Sequence, residues 1–205
     1  MNHAEAFGTV VAKRQRERAT VLVLEGPKFA LETAWFEGEG REAAAGVAEG
    51  QAVHVIGEVR RGKQGPYVAG RHLLVVPAEK APRDEAGRVL AGYAQVTLVG
   101  VLKAASEPGR SSHGVPVSSL ELALAGEHAA TFEIEVWGPQ AEPAARIEPG
   151  RMLVVRAVPR LRRSRDGERA VLVAAGLIVG EAAREVRGEP EPVGPEALEG
   201  RFFVF

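Results

Sequence analysis

Short, largely apolar stretches, some of which alternate apolar with polar residues, recur along this chain and predict a mostly β protein. Five such stretches lie in the first half, at residues 7–12, 19–24, 29–36, 52–59 and 67–76. Five more lie in the second half, at residues 96–102, 117–124, 132–137, 152–158 and 170–179. In the seventh stretch the alternation predicts that Leu120 and Leu122 face the core, and in the eighth it predicts that Glu133 and Glu135 face away from it.

One short helix is expected between the third and fourth strand of each half. Residues 41–48 are rich in alanine, and Gly50 is expected to stop this helix. Residues 139–147 form the second helix, with Pro139 in its first turn. Five strands with a helix at that point is the order of an OB-fold, a small Greek-key barrel. The predicted fold class is all-β with one short helix per module, as two tandem OB-fold Greek-key barrels.

The sequence also matches itself at an offset of 100 residues. The shared positions are Gly38, Glu42, Ala45, Gly50, Val55 and Arg60, which recur as Gly138, Glu142, Ala145, Gly150, Val155 and Arg160. A period of this length is the size of a small domain. We therefore predict OB-fold module one at residues 1–80, a charged linker at 81–91, OB-fold module two at 92–181, and a Pro/Glu-rich C-terminal tail without β pattern at 182–205.

Composition narrows the class of protein. The formal net charge is -1, so the chain as a whole lacks the basic excess that many nucleic-acid binders have. No cysteine is present, which excludes disulfides and thiolate metal sites. Because no apolar run approaches the ~20 residues of a membrane span and no signal peptide is visible, we expect a cytoplasmic protein without membrane contact. Asn2 is the only asparagine, a bias typical of thermostable proteins.

No arrangement of residues indicates catalysis. The histidines are scattered without metal-ligand spacing, at His3, His54, His72, His113 and His128. No nucleophile with its base and no phosphate-binding loop in a strand-to-helix context is visible. We therefore expect no enzymatic activity, no metal and no cofactor.

Positive charge is concentrated in three clusters. Lys13, Arg14, Arg16 and Arg18 are expected in the loop between strands one and two of module one, and Arg60, Arg61 and Lys63 in its hairpin between strands four and five. The equivalent hairpin of module two carries Arg156, Arg160, Arg162, Arg163, Arg165 and Arg169. An OB-fold binds ligands with these loops and its second and third strands, and cations there can follow a phosphate backbone. The alternative interpretation is that basic hairpins keep edge strands soluble.

Binding of unpaired nucleic acid also requires rings on which bases stack. Trp35 and Phe36 are adjacent in a strand, so only one of them can face the core. Phe29, Tyr67, Phe132 and Trp137 are the other rings considered. The predicted single-stranded-DNA-binding residues are Arg14, Arg16, Arg18, Trp35, Arg60, Arg61, Lys63, Tyr67, Trp137, Arg156, Arg160, Arg162, Arg163 and Arg165.

At these residues the chain resembles the bacterial single-stranded DNA-binding protein family, in the type with two OB-folds per chain. The resemblance is carried by residues 98–102, by residues 136–142, where Trp137 precedes a Gly-x-x-Ala-Glu turn, and by residues 148–155. Trp137 matches a base-stacking ring of the family, and Arg160 and Arg162 fall where it has basic hairpin residues. Thr131 and Ser164 stand at two further ring positions.

The resemblance implies a sequence-tolerant protein that protects single-stranded DNA in replication, recombination or repair. It also implies a homodimer, because four OB-folds form the active unit of the family. Family members recruit replication enzymes through an acidic C-terminal tip. The tip here is rich in phenylalanine instead, and contact with replication or repair proteins through the tail is an expectation from the resemblance. The alternative function is an OB-fold adaptor in a replication or repair complex with little or no DNA binding, which suits the sparse rings and the near-zero net charge.

Overall fold

Strands make up most of the computed structural model, which describes residues 2–63, 65–126, 129–164, 167–182 and 201–204. The strands are β1 (Asn2–Arg16), β2 (Ala19–Gly26), β3 (Phe29–Trp35), β4 (Ala52–Gly62), β5 (Gly65–Val76), β6 (Tyr93–Ala105), β7 (Gly109–Arg110), β8 (Pro116–Leu124), β9 (Ala130–Trp137), β10 (Arg151–Ser164), β11 (Gly167–Ala182) and β12 (Arg201–Val204). The α-helices are α1 (Gly38–Gly46) and α2 (Ala141–Ala145). Within these ranges no helix is long and apolar enough to cross a membrane.

Contacts divide the chain into two compact units. Of the described residues, the first unit contains those within 2–97 and 158–173, and the second contains those within 98–157, 174–182 and 201–204. We call residues 158–164 and 167–173 the β10–β11 tip; they belong to the first unit, although they come from the second half of the sequence. The module boundaries proposed from the sequence stay a prediction.

The strands of the first unit close into a barrel. β1 pairs antiparallel with both β2 and β4, β2 pairs with β3, and β4 pairs with β5. The ring is completed by a short parallel pairing of β3 with β5, at Thr33–Val68 and Ala34–Ala69. This order is that of an OB-fold, as predicted. Val10, Leu22 and Leu24 are fully buried inside the barrel.

The second unit repeats the arrangement. β8 pairs with β6 and β9, β11 pairs with β9 and β10, and β10 pairs with β6. Leu120 and Leu122 face the core as predicted. Glu135 does not follow the prediction, because it is only 4% exposed although strand alternation placed it outside. Its Oε2 accepts a hydrogen bond from Trp137 Nε1 at 2.9 Å, which lowers the cost of burying the carboxylate.

β12 adds a strand that the sequence did not indicate. It pairs antiparallel with β11, from Gly176–Val204 to Val179–Arg201. Four residues, three of them apolar, are too few for alternation to be recognised. The tail therefore contributes backbone pairing at a place where no β pattern was expected.

One pair of glycines in the internal repeat lies at equivalent turns of the two halves. Gly50 and Gly150 have φ angles of 85° and 89°, in the left-handed region that glycine adopts without strain. The Gly50 amide donates to the Val10 carbonyl at 2.7 Å, and the Gly150 amide donates to Leu102 at 2.8 Å. Gly50 is thus not the helix stop that was predicted, because α1 already ends at Gly46 and Gly50 forms the turn into β4.

The connection between the two halves packs on the first barrel. Ala81 and Val89 are buried with Ala52, and Phe7 packs against them. The Val89 amide donates to Thr9 Oγ1 at 3.1 Å. Buried apolar residues therefore lie between the charged residues of this connection. Their packing on the barrel was not predicted from the sequence.

A hydrogen-bonded cluster of Glu5, His54 and Tyr93 lies on the first unit. His54 Nε2 is 2.8 Å from Glu5 Oε1 and 3.2 Å from the Tyr93 hydroxyl, and that hydroxyl donates to Glu5 Oε1. The bonds from Tyr93 and His54 lower the pKa of Glu5. Burial, followed by the bond to Glu5, raises the pKa of Tyr93 to about 12. The fold therefore favours the protonated phenol.

We expect the Tyr93 phenol to stabilise the fold below its ordinary pKa of about 10 and to lose this effect as pH rises toward about 12. The chain has two tyrosines, so Tyr67→Phe leaves Tyr93 alone. Phenolate absorbance of this variant should show a midpoint near 12, with circular dichroism confirming the fold over the same pH range. Adding Glu5→Gln should lower the midpoint. A midpoint near the ordinary value in Tyr67→Phe would contradict the cluster.

Candidate nucleic-acid interface

A groove of about 810 Å³ lies over the outer face of β2 and β3 in the first unit. Its floor is formed by three cross-strand pairs, Val21–Ala34, Val23–Glu32 and Glu25–Ala30. The intervening residues of β2, such as Leu22 and Leu24, point into the core. Because four of the six floor residues are valine or alanine, their side chains are short and leave room for a flat ligand above the floor. We name this surface the β2–β3 groove.

The walls of the β2–β3 groove come from the end of β1 with the turn that follows it, and from the β4–β5 hairpin. The first wall carries Arg14, Arg16 and Arg18, and the second carries Lys63 and Tyr67. Among the described lining residues, four cations stand against the two carboxylates of the floor. The groove is therefore locally basic in a chain whose net charge is -1.

One groove cation is held by the floor. Arg14 Nη1 lies 3.1 Å from Glu32 Oε1, and both side chains are partly exposed. An exposed pair of this kind contributes roughly 0–1 kcal/mol, so a phosphate group can compete for the guanidinium. The pair therefore holds Arg14 at the floor only weakly.

The first basic cluster is placed differently from the prediction. Lys13, Arg14 and Arg16 lie within β1 rather than in a loop, because the pairing of β1 with β2 continues from Lys13–Leu22 to Arg16–Ala19. Alternation along the strand then separates their roles. Lys13 Nζ donates to the carbonyls of Ala45 and Val47 at 2.9 and 2.7 Å, which caps the end of α1. Arg14 and Arg16 line the groove.

Two rings stand together at the hairpin end of the groove. Phe36 and Tyr67 both line it, with ring centroids 6.4 Å apart and planes inclined by 58°. Arg60, the cross-strand partner of Tyr67, holds its guanidinium carbon 5.9 Å from the Phe36 centroid. A guanidinium over a ring is an attractive arrangement that limits the ring's movement. Arg60 thus supports the ring pair.

Trp35 is not a groove residue, and its predicted role in stacking is wrong. It is 1% exposed, its Nε1 donates to Thr33 Oγ1 at 3.1 Å, and its ring packs against Gly70. Phe36 is 39% exposed. Because Trp35 and Phe36 are adjacent in sequence, one of the two rings was correctly expected to lie outside the core. Trp35 was chosen as the exposed ring, whereas the exposed ring is Phe36. Phe36, which was considered but not included among the predicted binding residues, is the one of these two rings that lines the groove.

The remaining predicted residues are distributed over both units. Arg61 is exposed on β4 and is not among the described groove residues. Arg156 is exposed and Trp137 is half-buried in the second unit, whereas Arg160 and Arg162 are exposed on the hairpin tip of the first unit. The Arg163 side chain and Arg165 lie outside the described residues. Among the residues that the structure describes, no group of histidines and carboxylates is placed to hold a metal.

A closed five-stranded barrel of this strand order defines an OB-fold protein, and the groove lies over its second and third strands. The wild-type single-stranded DNA binding protein from Thermus aquaticus is similar over 96% of this chain and 98% of that chain, with a TM-score of 0.64 and 18% identity. This likeness confirms the fold that the sequence motifs indicated.

Two further solved structures are similar over smaller parts of the chain. The S. pombe Stn1-Ten1 complex matches 39% of this chain and 62% of that chain, at 13% identity and a TM-score of 0.37. The protein PriB from Ralstonia solanacearum matches 43% of this chain and 97% of that chain, at 25% identity and a TM-score of 0.33. No family model matches the chain, and no curated protein matches it by sequence.

The contrast between Trp35 and Phe36 gives a direct test of the site. Trp35→Ala should lower the free energy of unfolding by about 3–5 kcal/mol, because it empties a closed part of the core. Phe36→Ala, the matched control, should lower it by about 1 kcal/mol or less, because the ring is already largely exposed. Urea denaturation followed by circular dichroism measures both. Equal losses in the two variants would contradict the assignment of Trp35 to the core.

Proposed function

We propose that this protein binds single-stranded DNA with little sequence preference, using the β2–β3 groove, and protects the strand in replication, recombination or repair. The observation that carries the proposal is that Arg14, Arg16, Arg18 and Lys63 share one groove with Phe36 and Tyr67. Such a groove offers phosphate contacts and stacking surfaces side by side. This combination is what an unpaired strand requires.

The cations account for affinity. Each phosphate neutralised by an arginine or lysine releases condensed counterions, so binding weakens as salt rises. The basic charge needed for this is local, since the net charge of the whole chain is -1. The groove therefore attracts a polyanion even though the molecule as a whole does not.

The floor and the rings account for sequence tolerance. Val21, Val23, Ala30 and Ala34 present no hydrogen-bond groups from their side chains to base edges. Phe36 and Tyr67 offer ring faces on which any base can stack. In a duplex those base faces are already stacked on neighbours, so the groove favours unpaired strands.

The neighbour from Thermus aquaticus supports this proposal, because it is a single-stranded DNA binding protein and 98% of its chain is covered. On the same basis we propose a homodimer with four barrels, a cytoplasmic, nucleoid-associated location, and contacts of the C-terminal tail with replication or repair proteins. The proposed role is binding and protection rather than turnover.

Titration of the protein with fluorescent oligo-dT at two salt concentrations tests the function. We expect a dissociation constant well below about 1 μM at low salt and clearly weaker binding at higher salt. A duplex of the same length is the control and should bind less tightly. Micromolar or weaker binding of oligo-dT at low salt would contradict the proposal and favour the adaptor function.

A matched pair of charge reversals tests the site. Arg16→Glu changes a groove cation and should weaken oligo-dT binding by about tenfold or more at low salt. Arg61→Glu makes the same charge change outside the described groove and should weaken it by about threefold or less. The slope of binding against salt should fall for Arg16→Glu. Equal losses for the two variants would show that charge in general, rather than the groove, controls binding.

A further inference from the structure

The tip of the β10–β11 hairpin reaches the β2–β3 groove of the first unit. Ala170 of β11 is one of the residues that line the groove. Gly65, at the start of β5, lies so close that a Cβ built on it would be 2.6 Å from the Ala170 carbonyl oxygen. Gly65 also has a φ of +116°, so the position excludes a side chain on two grounds. The two backbones therefore meet at the groove margin.

The tip is packed rather than merely adjacent. Leu172 is 1% exposed, and Val171 and Pro159 are also buried. Residues 158–173 group with the first barrel by their contacts, whereas the rest of the hairpin groups with the second unit. Burial of these apolar residues holds the tip beside the groove, because exposing them would cost hydrophobic free energy.

The tip carries exposed cations. Arg160 and Arg162 are two residues apart on β10, so they share one face of the strand, and both are exposed. Arg169 directly precedes the groove residue Ala170 and is exposed as well. These arginines therefore lie on a segment that meets the wall formed by Gly65, Pro66 and Tyr67.

We propose that the β10–β11 tip forms a third wall of the β2–β3 groove, so that Arg160 and Arg162 contact DNA held by the first barrel. The inference rests on the proposed function and extends its site. From strand order alone, this hairpin would be expected to line the cleft of the second barrel. The contacts of residues 158–173 are instead with the first barrel. A strand in the groove is then bound by cations from both halves of the chain.

A double-mutant cycle tests this inference, using the full chain and an oligo-dT of about 10 nucleotides, near the length that one OB-fold covers. The tip variant is Arg160→Glu/Arg162→Glu, the groove variant is Lys63→Glu/Tyr67→Ala, and the reference variant is Trp137→Ala in the second unit. Thermal melting checks that each variant is folded. Each binding constant is measured alone and in combination at one low salt concentration.

We expect the tip variant to weaken binding by about tenfold in the wild-type background. The same change should alter the residual binding of the groove variant by about twofold or less, because the groove it serves is already disabled. In the Trp137→Ala background it should keep its full effect. This set of results supports the shared wall.

Two results overturn the inference in distinguishable ways. If the tip variant weakens binding by the same factor in the groove variant as in the wild type, or has no effect in the wild type, the tip does not serve the β2–β3 groove, and the proposed function stands. If the wild-type protein binds no oligo-dT, the proposed function and this inference fail together.

Discussion

The parallel pairing of β3 with β5 is the constraint on which the first unit depends. Only two residue pairs form it, Thr33–Val68 and Ala34–Ala69, yet they convert an open five-stranded sheet into a closed barrel. Closure brings the end of β1 and the β4–β5 hairpin to the margins of the β2–β3 face. Without it, the cations of β1 and the rings near the hairpin would not share a groove.

Closure also separates the two faces of each strand. Leu22, Leu24 and Trp35 fill the interior, so the outer face of β2 and β3 receives the small residues that make a low floor. Arg14 and Arg16 reach that face, whereas Lys13 turns to the helix and caps α1. Within this one basic run, alternation therefore places Lys13 where it stabilises α1, and Arg14 and Arg16 where they line the candidate site. A chain with a net charge of -1 acquires a basic groove in this way.

Short apolar stretches, some of them alternating, were sufficient to predict the ten barrel strands, because each barrel strand buries one face, and the alanine-rich composition of residues 41–48 predicted a helix after the third strand. It could not show the β3–β5 pairing or the packing of the β10–β11 tip, which depend on residues distant in sequence. The extension of β1 to Arg16 was missed because the final residues are charged. Glu135 was misplaced since its burial depends on a hydrogen bond from Trp137. Of the site, the basic walls and Tyr67 were predicted, and Phe36 was not.

In the proposed complex an unpaired strand lies in the β2–β3 groove against Phe36 and Tyr67. Photocrosslinking with an oligonucleotide that carries bromodeoxyuridine, followed by mass spectrometry of the peptides, tests this placement of the strand. We expect adducts on Phe36 and Tyr67, lost when excess unlabelled oligo-dT is added. Saturable binding with adducts confined to other surfaces, such as the region of Tyr93, would contradict it.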